Sequence, residues 1–139
     1  MNWKRIASGS LLAGLVVLAV DFFVNDFILR RAWQDLVQTG HILGPRPYAY
    51  VLILIQDFAI GFILMWLYAL ARPRLGPGPQ TALVMGTLAW FLLSVPSSLC
   101  LWLWCPFPAQ IPAAELLGGL MECWAGIYVA GWQYIEKAP

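Results

Sequence analysis

The chain has 139 residues, of which 61% are hydrophobic and 11% charged, with a mean hydropathy of +0.74. Soluble domains carry about a quarter charged residues, so a water-soluble fold of this size is excluded: too much apolar surface would have no place to hide. The net charge of +1 says nothing about nucleic acid, but there is no basic patch interleaved with aromatics, so no nucleic-acid partner is expected and the lipid bilayer is the expected surroundings.

A hydrocarbon core about 30 Å thick takes roughly 20 residues of helix per crossing. The chain therefore has room for four spans in a single integral membrane domain over residues 1–139. The first span is expected over 6–29. Lys4 and Arg5 followed by an apolar run resemble a signal peptide. No small-x-small cleavage site follows and three more hydrophobic stretches do, so the reading is a retained helix. Near its end, "DFFVNDF" (21–27) places Asp21, Asn25 and Asp26 among Leu, Val, Ala and Phe. The next stretch, "RRAWQDLVQTGHILGPRP", is the longest loop, with a short interfacial helix over 32–36 before the Gly-Pro-Arg-Pro stop.

The second span, 48–71, carries Gln56 and Asp57. It ends at "RPRLGPGPQ", where Pro73, Pro77 and Pro79 each remove a backbone donor and the glycines permit tight turns. Thr81 is the expected N-cap of the third span, 81–104, which carries Ser94, Ser97 and Ser98 around Pro96. After the uncharged "CPFPAQIP", Pro112 suits the first turn of the fourth span, 112–135, which carries Glu115 and Glu122. The expected fold class is all-α, an antiparallel four-helix transmembrane bundle.

Positive charge suggests orientation. With the N-terminus inside, Lys4, Arg5, Arg72, Arg74 and Lys137 fall on the inner side and Arg30, Arg31 and Arg46 on the outer. The expected localisation is the bacterial inner membrane with both termini cytoplasmic, although Arg30 and Arg31 directly after span one argue the other way. Trp3, Trp33, Trp102 and Trp104, with Tyr48, Tyr50 and Tyr134, suit anchoring belts at both interfaces.

The polar residues within the spans set the functional question. A carboxylate at the bilayer centre costs about 2.5–3.5 kcal/mol on insertion scales. Counting from the span ends at a rise of about 1.5 Å per residue, Asp57 lies about 13 Å and Glu122 about 15 Å below the outer end. Asp21 and Asn25 lie about 22 and 28 Å above the inner end of span one. The groups therefore share the middle and outer half of the membrane. Asp21 and Asn25, four apart, share a helix face, and Gly14 continues that face seven residues earlier. Asp57 is followed four later by Gly61; Glu122 is flanked by Gly118 and Gly126, with Glu115 seven before it. Small residues at such spacing let helices approach closely, so the acidic stripes double as packing stripes. Asp26 points elsewhere, toward the outer interface.

No Lys or Arg lies inside the four spans. Three states satisfy the acids: protonated and hydrogen-bonded together, facing a watery cavity, or neutralised by a bound cation. Three roles follow: interhelical glue, a ligand-binding polar pocket open to the outside (Asp21, Asn25, Asp57, Glu115, Glu122), or contacts to a partner subunit. The pocket reading means binding a cation or small ligand or relaying protons; the other is a non-catalytic accessory subunit of a larger membrane complex, or a homo-oligomer. No nucleophile–base pair or metal triad supports an enzyme, no cofactor is implied, and whether a metal binds stays open. His41, in the long loop, is read as solvated, with capping of the pocket or metal ligation as the alternative. Cys100, Cys105 and Cys123 form no CxxC and no cluster with histidine. They invite comparison with quinone-coupled thiol oxidases, also four-helix membrane bundles, but Cys100 and Cys105 stand too far apart on a regular helix for a bridge.

The string "DFFVNDFILRRAW", followed by "QDFAIGFILMWLYALARPRLGPGPQTALVMGTLAW", resembles an uncharacterised group of small bacterial four-span membrane proteins. The likeness covers nearly the whole chain, and the "RPRLGPGPQTA" turn is its most distinctive part. It implies the four-span architecture, leaves activity open, and implies that Asp21, Asn25, Asp57 and Glu122 belong to the shared pattern.

Overall fold

The structure, a computed structural model, describes residues 3–134. Those residues are mostly helical, with no strand among them: α1 (Trp3–Phe22), a π-helical turn (Phe23–Ile28), α2 (Arg30–Gln38), α3 (Ala49–Leu75), α4 (Pro79–Trp104) and α5 (Gln110–Gln133). The expected end of span four at Ile135 and the inner-side Lys137 lie outside the described residues. Three helices are long and apolar enough to cross a membrane: Trp3–Ile28, Ala49–Leu75 and Pro79–Trp104. They mark a membrane protein. At 24 residues α5 has the length, about 36 Å of helix, but two glutamates and four glycines dilute its hydropathy.

Several boundaries differ from the sequence reading. α3 runs through Pro73 to Leu75 instead of breaking there. Pro73 sits in the last turn, where it forfeits one intrahelical bond and little follows it to be disrupted. The break falls at Gly76 and Gly78, whose φ of 84° and 133° only glycine adopts without strain. Pro79 opens α4, so Gly78 and not Thr81 is its N-cap. Thr81 lies inside the first turns and donates its hydroxyl to the Gly76 carbonyl at 2.7 Å, tying the turn from within. Pro96 does not stop α4; Ser97 donates to the carbonyls of Leu93 and Ser94 in the weakened turn.

Small residues govern the packing. Gly61 of α3 rests on the backbone of α1 at Gly14 and Ser10, while Gly9 meets Met65 and Gly14 meets Phe58. Higher numbers on one helix meet lower on the other, so this pair runs in opposite directions. α5 follows the same logic. Gly126 meets Val17 and Leu64, Gly118 meets Val24, and Gly119 meets Ser94 of α4. Two apolar clusters result. The larger joins Ile6, Ala13, Val17, Leu64, Met65, Tyr68, Ile127 and Tyr134, nearer the chain's N-terminal end of α1. The smaller joins Val24, Leu29, Ala32, Leu36 and Ile111 and seats α2 against α5 and the π-helical turn. The polar residues lie between them.

Candidate functional site

α1, α3 and α5 bring the acids together. Asp57, a third of the way along α3 and 2% exposed, stands within electrostatic reach of Asp21. Glu122 stands within reach of Asp21, Glu115 and Asp57. Glu115 in turn faces Asp21 and interacts with the Asn25 side chain. The register explains the convergence. Glycine contacts pair Gly118 with Val24 and Gly126 with Val17, which puts Glu122 beside Asp21 and Glu115 beside the π-helical turn. Gly126 against Leu64 brings Asp57 to the same stretch of α5.

The polar groups form two levels. Asp21, Asp57 and Glu122, within electrostatic reach of one another, make the deeper one; toward α2, Asn25 stands one turn from Asp21 and Glu115 two turns from Glu122. Ser94 packs on Gly119, and counting one turn along each helix puts the buried Ser98 at the level of Glu115. Below Glu122 the route closes: Val17, Leu64, Met65 and Ile127 are completely buried and apolar. The cluster thus has a dry floor and a roof made by α2.

That roof has a defined hydrogen-bond pattern. The Trp33 indole donates to Asn25 Oδ1 at 2.9 Å, and Asn25 Nδ2 donates to Asp21 Oδ1 at 3.0 Å. An indole N–H is only ever a donor, so the Asn25 atom facing it must be the carbonyl oxygen, and the amide nitrogen must face the acids. Trp33 also packs edge-on against Phe107, with ring centroids 5.7 Å apart. The π-helical turn is closed by the Leu29 N–H bonding to the Val24 carbonyl at 2.8 Å. Such turns recur at functional sites; this one leaves Asp26 exposed while Asn25 stays half-buried.

Two features separate this cluster from a web of mutual hydrogen bonds. Asp57 Oδ2 is buried and has no hydrogen-bond partner, and the hydroxyls of Ser10 and Ser98 share that condition. Among the described residues, no three His, Cys, Asp or Glu side chains stand close enough to hold a metal ion.

No family model, curated protein or solved structure matches the chain. The chemistry of the site therefore rests on its own geometry.

Of the candidates that the sequence singles out, Asp21, Asn25, Asp57, Glu115 and Glu122 come together. Gln56 and Ser97 are exposed and stand apart. His41 is exposed, its Nδ1 2.7 Å from the Thr39 hydroxyl. It lines a surface groove of about 440 Å³ with Asp35, Phe107 and Gln110, to which none of Asp21, Asp57, Glu115 and Glu122 contributes. Cys100 is exposed, Cys105 half-buried and Cys123 buried, all unbridged. Trp33 is the member that sequence reasoning misses. Its place in the loop suggests an interfacial anchor, and only its spacing of eight from Asn25, two turns on, hints otherwise.

Proposed function

We propose that the chain is a small four-span membrane protein, an antiparallel bundle of α1, α3, α4 and α5, with an acidic pocket that takes up positive charge from the outer side. The observation that carries the reading is Asp57: a fully buried side chain with an unpartnered oxygen, facing two other carboxyls. A buried acceptor without a partner forfeits about 1–3 kcal/mol. Glue would use that oxygen in a hydrogen bond; an unpaired acceptor among acids suits a cationic ligand. The dry floor favours a one-sided pocket over a relay crossing the whole membrane. What supports reading α5 as the fourth span is its outward face: Leu117, Met121, Trp124, Tyr128 and Trp132 form an exposed apolar stripe, with both glutamates turned away from it.

The test uses the full chain in lipid nanodiscs. Thermal unfolding is followed while sodium, potassium, ammonium, magnesium or calcium chloride is titrated at constant ionic strength. At least one cation raises Tm, and Asp57→Asn abolishes that rise. A Tm indifferent to all of them, or an equal response in the variant, sinks the proposal.

One feature favours a second reading, an accessory subunit of a larger membrane complex. Residues 50–55 of α3 are all large, apolar and exposed, so this end of the helix is uncovered on every side. Native mass spectrometry from membranes decides it: a stoichiometric partner supports the accessory role, and a chain carrying only lipid removes it.

A further inference from the structure

We infer that the ligand of the acidic pocket is a protonated amine, an ammonium-type cation that brings its own N–H donors, and that Asn25, oriented by Trp33, sets this preference. The inference rests on the cation-pocket reading above and narrows it.

The pocket offers acceptors. Asp57 Oδ2 is buried without a partner, and Asp21 and Glu122 stand within electrostatic reach of Asp57. Asn25 directs its carbonyl to the Trp33 indole and its amide nitrogen to Asp21. Its amide nitrogen holds Asp21 at 3.0 Å, a role that suits an ionised carboxylate acceptor. The acceptors are also dispersed over two levels. A divalent metal needs several oxygens converging on one point at about 2.0–2.6 Å, and no three candidate ligands do so among the described residues. An ammonium group needs fewer oxygens, because one or two charge-assisted N–H bonds of about 2.7–2.9 Å suffice to hold it on a single unpartnered carboxylate.

Trp33 enforces the arrangement from outside the acid cluster. Without its N–H, Asn25 can turn its carbonyl toward Asp21. That would place acceptor against acceptor and remove the donor that keeps Asp21 oriented. Asn25 is thus a specificity residue and Trp33 a positioning residue.

Ammonium and potassium provide the test, since they carry the same charge at nearly the same size and only ammonium has N–H donors. The full chain in nanodiscs is titrated with ammonium, methylammonium and potassium chloride, with Tm as the readout. Ammonium and methylammonium reach half-maximal effect at concentrations at least about tenfold below potassium, as expected where charge-assisted donors are lost. Trp33→Phe, which keeps a ring against Phe107, and Asn25→Leu both narrow that ratio. Potassium acting as well as ammonium overturns the inference while leaving the cation pocket standing. An ammonium preference unchanged in both variants overturns the assignment to Asn25 and Trp33. No response to any cation in the unsubstituted chain removes both this inference and the pocket beneath it.

Discussion

Gly61 of α3 lies against Gly14 of α1 so closely that a methyl group at Gly61 would run into the Gly14 amide nitrogen and, at 2.6 Å, its Cα. The obstacle is backbone, which no rotamer change can move. Gly61→Ala is therefore expected to cost at least the roughly 1–3 kcal/mol typical of overpacking. Asp57 lies one turn from Gly61, so the substitution also displaces the site. Thermal unfolding in mild detergent checks the first effect and the cation response checks the second. A Gly61→Ala protein as stable as the parent would show that α1 and α3 do not meet here.

Asp57→Leu separates a binding site from interhelical glue. Leucine repeats the branched four-atom skeleton of aspartate, with methyls larger than the oxygens, and leaves no polar atom unpaired. Replacing a buried, incompletely partnered polar group by an apolar one of like shape is often neutral or stabilising by about 1–2 kcal/mol. The expected outcome is a Tm equal to or above that of the parent, with the cation response gone. A clear fall in Tm would assign Asp57 to holding the helices together.

The turn between α3 and α4 shows what the sequence discloses and what it does not. Its composition marks a break between two apolar stretches, and a break is there. The helix nonetheless continues through Pro73, because a proline in a last turn costs one bond and the glycines beyond supply the conformations that end it. Likewise Thr81 reads as a cap, yet Pro79 and Gly78 already open α4, so its hydroxyl is left to bond Gly76 at 2.7 Å. Thr81→Ala is expected to cost about 1 kcal/mol, measured by thermal unfolding, with no change in cation response because the turn lies at the far end of α3 from Asp57.

The acids follow the same division. Periodicity and depth counting place Asp21, Asp57 and Glu122 at one level because an α-helix has a fixed rise and turn. The π-helical turn breaks that regularity and has no compositional sign in "FVNDFI". Trp33 is hidden for a related reason: it reaches Asn25 only because the chain reverses into α2, and that reversal depends on Leu29, Ala32 and Leu36 packing on Ile111. Local pattern carries the helices; the roof of the site depends on contacts between them.

Gly119 and Ser94 link α4 to the level of the site, and their packing can be measured as a pair. A methyl group at Gly119 would collide with the Ser94 hydroxyl and come within 2.6 Å of its Cβ. Gly119→Ala alone should cost about 1–3 kcal/mol through overpacking. Ser94→Gly alone should cost about 0.5 kcal/mol through helix propensity. Together they should cost less than the sum, since Ser94→Gly removes the atoms that the new methyl strikes. The expected coupling is roughly 1 kcal/mol in the direction of rescue, and Ser94→Ala, which keeps the Cβ, should rescue less than Ser94→Gly. Strictly additive losses would mean that α4 and α5 do not pack at these residues, and Ser98 would then lose its place beside Glu115.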